Sequence, residues 1–259
     1  MDLNEPEIQA RRLQPTFRES GDRTMPLLIG RNGVRPGPLL LLGAPGVGKG
    51  TQADALAKLW DYPKISTGEI LRTNVAKGTA LGIQASGIMA RGNLVPDQLI
   101  TEMLADRLGL PDTAAGFILD GFPRTVSQAQ WLDGYLNIHR GGASLGIVSM
   151  CMELTALLER LIDRRVCPRC STVYNTRLMP PQEEGRCDND GSELMQRADD
   201  RPEVCQRRLT VYARETAPLI QYYKRRSKYI EVDADQPPAR VTSEIVAGLS
   251  RARVPVYGG

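Results

Sequence analysis

The chain has 259 residues, 24% of them charged and 41% hydrophobic, with a formal net charge of +3. That excess is too small to argue for a polyanionic partner, which requires basic residues gathered on one face. No apolar run approaches the ~20 residues that cross a bilayer. Five cysteines, an odd number, without an apolar leader region, fit reduced thiols in a soluble cytoplasmic protein better than a disulfide framework.

Taken in chain order, residues 1–37 mix Arg11, Arg12, Arg18, Arg23, Arg31 and Arg35 with Asp2, Glu5, Glu7, Glu19 and Asp22. They show no hydrophobic periodicity and read as a poorly ordered extension. The acids set it apart from an organellar transit peptide. From Leu39 onward, short apolar runs alternate with helical segments, the pattern of βαβ units around a parallel sheet.

Leu39–Leu42 is expected to be the first buried strand, and "KGTQADALAKLW" the helix that follows it. "FILDG" forms a second strand ending at Asp120 and "LGIVSMCMEL" a third. The helix "LTALLERLIDRR" comes next, "KYIEVDA" supplies a late strand, and residues 255–259 form a tail. Between the third and late strands lies a segment rich in Cys, Pro, Gly and charge. It is too poor in aliphatic side chains to fold on a core of its own and needs a staple such as a metal.

The string "GAPGVGKGT", Gly43–Thr51, nearly satisfies the phosphate-loop formula, with Gly50 where the formula places a Ser or Thr hydroxyl. It sits between a strand and a helix, and Asp120 stands at a later strand end, where ligands meet parallel sheets. On that context Lys49 bridges nucleotide phosphate oxygens and Asp120 holds Mg²⁺, through water. Cys167 and Cys170 have Cys-x-x-Cys spacing, and Cys187 follows. Asp190 stands where a fourth cysteine would complete a tetrahedral zinc site, with Asp188 a poorer choice because its spacing is too short. Four protein ligands leave no open position, so the zinc would be structural. Cys151 and Cys205 are expected in the core, and the lone histidine, His139, in a loop. Arg72, Arg124, Arg160, Arg164, Arg197 and Arg208 together suit phosphoryl transfer, which needs charge neutralisation more than covalent help.

In order along the chain, "GAPGVGKGTQ", "ISTGEILR", "GNLVPDQLI", "FILDGFPRTVSQA", the cysteine segment from "RLIDRRVCPRCSTVY" to "CDNDG", "QRADDRPE" and "RLTVYARETAPLIQYY" resemble the adenylate kinase family of the long-lid, zinc-bearing bacterial type. The resemblance covers about residues 39–249, and in this family the loop normally reads GKGT, so Gly50 is the family's own form. It implies an α/β, P-loop nucleoside monophosphate kinase fold, a central parallel sheet flanked by helices. The domain would span 38–254, with an AMP-binding segment at about 66–95 and a zinc lid at about 164–201.

The implied reaction is MgATP plus AMP giving two ADP, in a monomer. By position, Gly43, Ala44, Pro45, Gly46, Val47, Gly48, Lys49, Gly50 and Thr51 would cradle ATP, with Arg160 and Gln236. Thr67, Arg72, Leu94, Val95, Gly121, Arg124, Gln128, Arg197 and Arg208 would hold AMP. Lys49, Asp120, Arg124, Arg160, Arg164, Arg197 and Arg208 would carry catalysis, and Asp199 and Asp200 would lock or orient the lid.

Three positions depart from the family pattern. Glu69 stands for the usual Asp, Asp163 for a Gly beside the hinge Arg164, and Ala234 for a Gly near the adenine of ATP. Asp163 is expected to weaken the phosphate contact of Arg164, and Ala234 opens a reading in which the donor is GTP or broad. A UMP/CMP kinase is disfavoured by "STG" and the long lid. A nucleic-acid-binding P-loop ATPase, with the cysteine insert as a zinc ribbon, leaves Arg72 and Arg124 without a purpose.

Overall fold

Four leucines in succession offer no polar face, so a strand made of them has to be covered on both sides. The computed structural model, which describes residues 36–225 and 228–251, places them as β1 (Leu39–Leu42) at the centre of a five-stranded sheet. On one side lies β3 (Ile118–Asp120) and beyond it β2 (Lys64–Ser66). On the other lies β4 (Gly146–Cys151) and beyond it β7 (Lys228–Asp233). All the pairings are parallel. Leu40 and Leu42 join Leu119 and Ile147 in one layer, while Leu39 and Leu41 join Ile118 and Val148 in the other. This is the period-two alternation of a strand, here apolar on both faces.

The first layer is closed by α2 (Thr67–Ala76), α3 (Ala80–Ala90), α4 (Asp97–Leu108), α5 (Val126–His139) and α8 (Pro218–Lys224). The second is closed by α1 (Lys49–Trp60), α6 (Leu154–Ile162), α7 (Pro202–Val211) and α9 (Pro238–Arg251). Helix starts follow local chemistry: the hydroxyls of Ser66, Thr79 and Thr125 accept from the N–H of Glu69, Gly82 and Gln128 at 3.4, 3.1 and 3.2 Å, the N-cap arrangement. Between α7 and α8, Tyr212–Thr216 winds as a π-helix. Among the described residues no helix is long and apolar enough to cross a membrane.

A small separate sheet pairs β5 (Arg164–Val166) antiparallel with β6 (Val173–Asn175). The helix expected to run through Arg165 therefore ends at Ile162. The reason is capture of the departing chain: the N–H of Thr176 donates to the Asp163 carbonyl at 3.0 Å, and the Asp163 carboxylate pairs with Arg177. Strand β2 escapes sequence reading because three residues carry no periodicity. Cys151 is exposed, not in the core, because it ends β4 where the sheet opens; Cys205 is buried as expected. His139 is the last residue of α5, its ring 4.5 Å from that of Tyr135, and not a loop residue. Apart from Pro36 and Gly37, the expected N-terminal extension lies outside the described residues, as does the tail at 255–259.

Candidate functional site

The carboxyl ends of β1, β2 and β3 open on a cavity of about 1180 Å³, the position at which parallel sheets of this kind take ligands. Its floor is the glycine loop. Gly46 has φ +88°, and a Cβ there would lie 2.9 Å from the Leu157 carbonyl oxygen, so no larger residue fits. Gly48, at φ +100°, caps α1 without a side-chain hydrogen bond, which leaves the first N–H groups of that helix for an anion. Ala44 and Val47 turn into the core and anchor the loop, while Gly43, Pro45, Gly46, Gly48, Lys49, Gly50 and Thr51 line the cavity.

Lys49 Nζ donates to the carbonyls of Gly43 and Ala44 at 2.8 and 2.9 Å. Burial lowers its pKa to about 8; Asp120 opposes the shift, and Arg124, Arg208 and Arg164 add to it. Asp120 Oδ2 accepts from the Ser66 hydroxyl at 3.2 Å. A Cβ at position 50 would stand 3.6 Å from the same oxygen. That is ordinary contact distance, so position 50 stands directly beside the Asp120 carboxylate.

The charges around the cavity are paired unequally. Asp54 and Glu69 are matched by Lys64, Asp199 by Arg208, and Asp235 by Arg160. Among the described carboxylates lining the cavity, Asp120 has no cationic partner within ion-pair distance. Lys49, Arg72, Arg124 and Arg197 likewise line the cavity and make no ion pair with a described carboxylate. Arg72, Arg124 and Arg197 are all pushed to lower pKa by burial first, with neighbouring guanidiniums adding to the shift; Arg197 falls to about 9. Such a set suits a ligand that brings several negative charges and a metal that answers Asp120.

Arg164 grips Asp200 through Nε and a terminal nitrogen at 2.7 and 2.5 Å, and Arg208 reaches the same carboxylate at 2.9 Å. Burial would push Asp199 up, but Arg208, Arg164, Arg72 and Arg197 hold it below the usual carboxylate range. Asp163 points to Arg177 instead of Arg164, so the expected interference with Arg164 is absent. Arg160 donates to the Ala234 carbonyl at 3.2 Å. Ala234 is buried in the core and does not line the cavity, whereas Gln236 does.

Opposite the loop, the Thr67 hydroxyl and Arg124 Nε both donate to the Gly121 carbonyl, at 2.8 and 2.9 Å. The Arg124 N–H donates to Gln128 Oε1 at 2.7 Å. Gln128 in turn donates to Asp97 at 2.7 Å, and Asp97 also takes the Thr125 hydroxyl at 3.0 Å. The Thr216 hydroxyl, at the end of the π-helix, donates to the Arg124 carbonyl at 2.8 Å. Leu94 and Val95 line the same end, and Asn93 beside them accepts from Arg207 of α7 at 3.0 Å. Sequence reading missed Asp97, Thr216, Ser66 and Lys64. Only Ser66 carried a signal, as the first residue of a Ser-x-x-Glu helix start.

In the small sheet, the ligand atoms of Cys167, Cys170, Cys187 and Asp190 lie within 4.8 Å of one another. Asp188 Oδ1 is instead taken by the Gln182 N–H at 2.8 Å. The apolar core here is Cys167, Tyr174 and Cys187 with Leu194 against them, too little to fold on. Three thiols and a carboxylate make a donor set that fits Zn²⁺, and the group can hold that ion as a structural staple.

A sequence model of adenylate kinase matches residues 41–228. The chain is 46% identical to an adenylate kinase of Salinispora tropica over 82% of its own length and 97% of the relative's. It is 46% identical to one of Gloeobacter violaceus over 80% and 96%, and 42% identical to one of Methanocella arvoryzae over 82% and 98%.

Two outcomes are expected of this site. Cys167→Ser lowers the melting temperature, by about 2–4 °C for each kcal/mol lost in a chain of this size, and lowers bound zinc measured by elemental analysis; unchanged melting with no zinc in the parent protein contradicts the staple. Lys49 is half neutral near pH 8 without ligand, so ATP binding at pH 8–9 draws in a proton. Calorimetry in buffers of different ionisation enthalpy reads that uptake, and its absence means the lysine is already charged. The sign for stability is the reverse of a salt bridge: the cost of burying the ammonium is full below about pH 8 and fades as pH rises toward the ordinary lysine value.

Proposed function

The chain belongs to the adenylate kinase family and catalyses reversible phosphoryl transfer from MgATP to AMP, giving two ADP, and we propose how its cavity divides the two nucleotides. ATP lies over the loop from Gly43 to Thr51, with its base toward Gln236. AMP lies between Thr67, Arg72, Gly121, Arg124 and Gln128, with its adenine against Leu94 and Val95. The observation that carries this division is the set of four cations without a carboxylate partner among the described residues, Lys49, Arg72, Arg124 and Arg197, around one cavity with Asp120.

An oxygen of the AMP phosphate attacks the γ-phosphorus of ATP, and the bond from that phosphorus to the β-bridging oxygen breaks. The attacking oxygen is already anionic, so no general base is needed. Lys49 stands between the two nucleotides to stay with the transferred group. Arg72, Arg124 and Arg197 hold the acceptor phosphate, and Arg160, Arg164 and Arg208 close on the donor phosphates. The Mg²⁺ that accompanies ATP neutralises phosphate oxygens, and Asp120 is the residue to hold it. The mobile parts are an acceptor segment at about 66–95 and a lid at about 164–201, whose closure excludes the water that would otherwise hydrolyse ATP.

The protein acts as a cytoplasmic monomer on ATP, AMP and ADP, without nucleic acid. A GTP donor draws no support from Ala234, whose methyl is in the core, and the family match gives none to a nucleic-acid ATPase.

The test is a panel of ATP and GTP as donors against AMP, UMP, CMP and GMP, in which ATP with AMP is expected to dominate; a GTP preference would move the donor assignment. Arg124→Ala is expected to raise the AMP KM by roughly 10- to 100-fold, the loss of a charge-assisted pair. Lys49→Met is expected to cut kcat by about 10²- to 10³-fold while the fold persists. An AMP response untouched in Arg124→Ala would place the acceptor elsewhere.

A further inference from the structure

Lys64 faces the cavity yet reaches no phosphate-binding group. It opens β2, its side chain is 17% exposed, and its ammonium lies 2.7 Å from Asp54 of α1 and 2.7 Å from Glu69 in the first turn of α2. Burial alone would lower its pKa, but the two carboxylates outweigh burial and hold it above the usual lysine range.

The string Ser66-Thr67-Gly68-Glu69 has the form of a capping box, in which the glutamate turns back to the N–H of the capping serine. Ser66 does cap α2, but the Glu69 carboxylate is bonded to Lys64. Glu69 and Asp54 both line the cavity. Without Lys64, two negative charges would face the space that two phosphate-bearing substrates must enter. The same two bonds tie α1 to the turn that carries Thr67 and, one helical turn on, Arg72.

We propose that Lys64 is a positioning residue for AMP: it masks Glu69 and Asp54 from the acceptor phosphate and fixes the first turn of α2, which carries Thr67 and leads into the turn of Arg72. This rests on the acceptor placement given above. The added methylene of Glu69 has a purpose on this view, since it gives the carboxylate the reach to meet Lys64 away from the reacting phosphates.

The experiment is steady-state kinetics on Lys64→Met, Lys64→Gln, Lys64→Arg, Glu69→Gln and the double variant Lys64→Met with Glu69→Gln, at low and high salt, with melting temperatures to confirm folding. Lys64→Met is expected to raise the AMP KM roughly 5- to 10-fold, as unmasked carboxylates near a screened site would, with Glu69, on the helix of Thr67 and Arg72, the larger contributor, and to raise the ATP KM less. The rise shrinks at high salt, Lys64→Arg stays near the parent, and adding Glu69→Gln restores most of the AMP response. Lys64→Gln keeps a donor without the charge and gives the same reading if Lys64→Met does not fold. An unmoved AMP KM in the folded neutral variants overturns the proposal. So does a raised KM that Glu69→Gln fails to rescue, which would make Lys64 a purely structural tie. Arg124→Ala run alongside separates the two levels: if it too leaves the AMP KM unmoved, the acceptor placement itself falls, and if it alone raises the KM, only the role of Lys64 does.

Discussion

Asp200 has no exposed surface and answers two guanidinium groups at once, Arg164 through both oxygens and Arg208 through one. The rest of the site depends on that carboxylate. Arg164 comes from the small sheet, residues of which line the cavity, and Arg208 from α7, so the charge pair joins that sheet to a helix packed on the larger one. A buried ion pair is a poor source of net stability, yet removing one member leaves an uncompensated charge at a cost of about 3–5 kcal/mol. What the pair supplies here is arrangement. Cations that would repel one another are held within reach of a single region of space, and the energy of gathering them is met in folding, before substrate arrives.

The same logic explains why some cations are left without carboxylates. Pairing every arginine would make the cavity electrically quiet, and a polyphosphate would have to displace protein carboxylates to enter. Arg160, Arg164 and Arg208 are steadied by Asp235, Asp200 and Asp199, while Lys49 and Arg124 are held by hydrogen bonds to backbone carbonyls and Arg72 and Arg197 make no ion pair with a described carboxylate. Burial first, and then Arg164 and Arg72, lower the pKa of Arg197, and an anion beside it would act in the opposite direction.

The parts of this site that were legible in the sequence are those whose chemistry lies in consecutive residues. The glycine loop, the Cys-x-x-Cys pair and the strand-end Asp120 could be read because spacing alone forces their arrangement. The alternation of apolar runs and helical segments was enough to name a parallel sheet, and the all-leucine strand told that both faces were covered. Strand β2 was not legible, since three residues have no period, and the turn from α6 into β5 depends on Asp163 and Thr176 meeting across the hairpin. Asp97 was missed because its partners Thr125 and Gln128 stand far along the chain on another helix, and Lys64 because no local pattern marks a lysine at the start of a three-residue strand as the partner of Asp54 and Glu69. The departures at Ala234 and Asp163 could be seen but not judged, because a substitution shows its consequence only when the direction of its side chain is known: one methyl is buried in the core, and one carboxylate is occupied by Arg177.

The cysteine-bearing sheet and the five-stranded sheet are held by different kinds of force. The larger one stands on two leucine-rich layers, so its unfolding exposes much apolar area, carries a large heat capacity change, and gives a stability that bends strongly with temperature. The smaller one buries four side chains, Val166, Cys167, Tyr174 and Cys187, beside a set of donor atoms that can hold a metal, so little of its order comes from hiding oil from water, and a flatter stability curve is expected of it. With zinc in the cysteine site, one polypeptide would answer to two separate variables: its body would follow the warmth of its surroundings, and its small sheet the supply of metal and the reduction of three thiols.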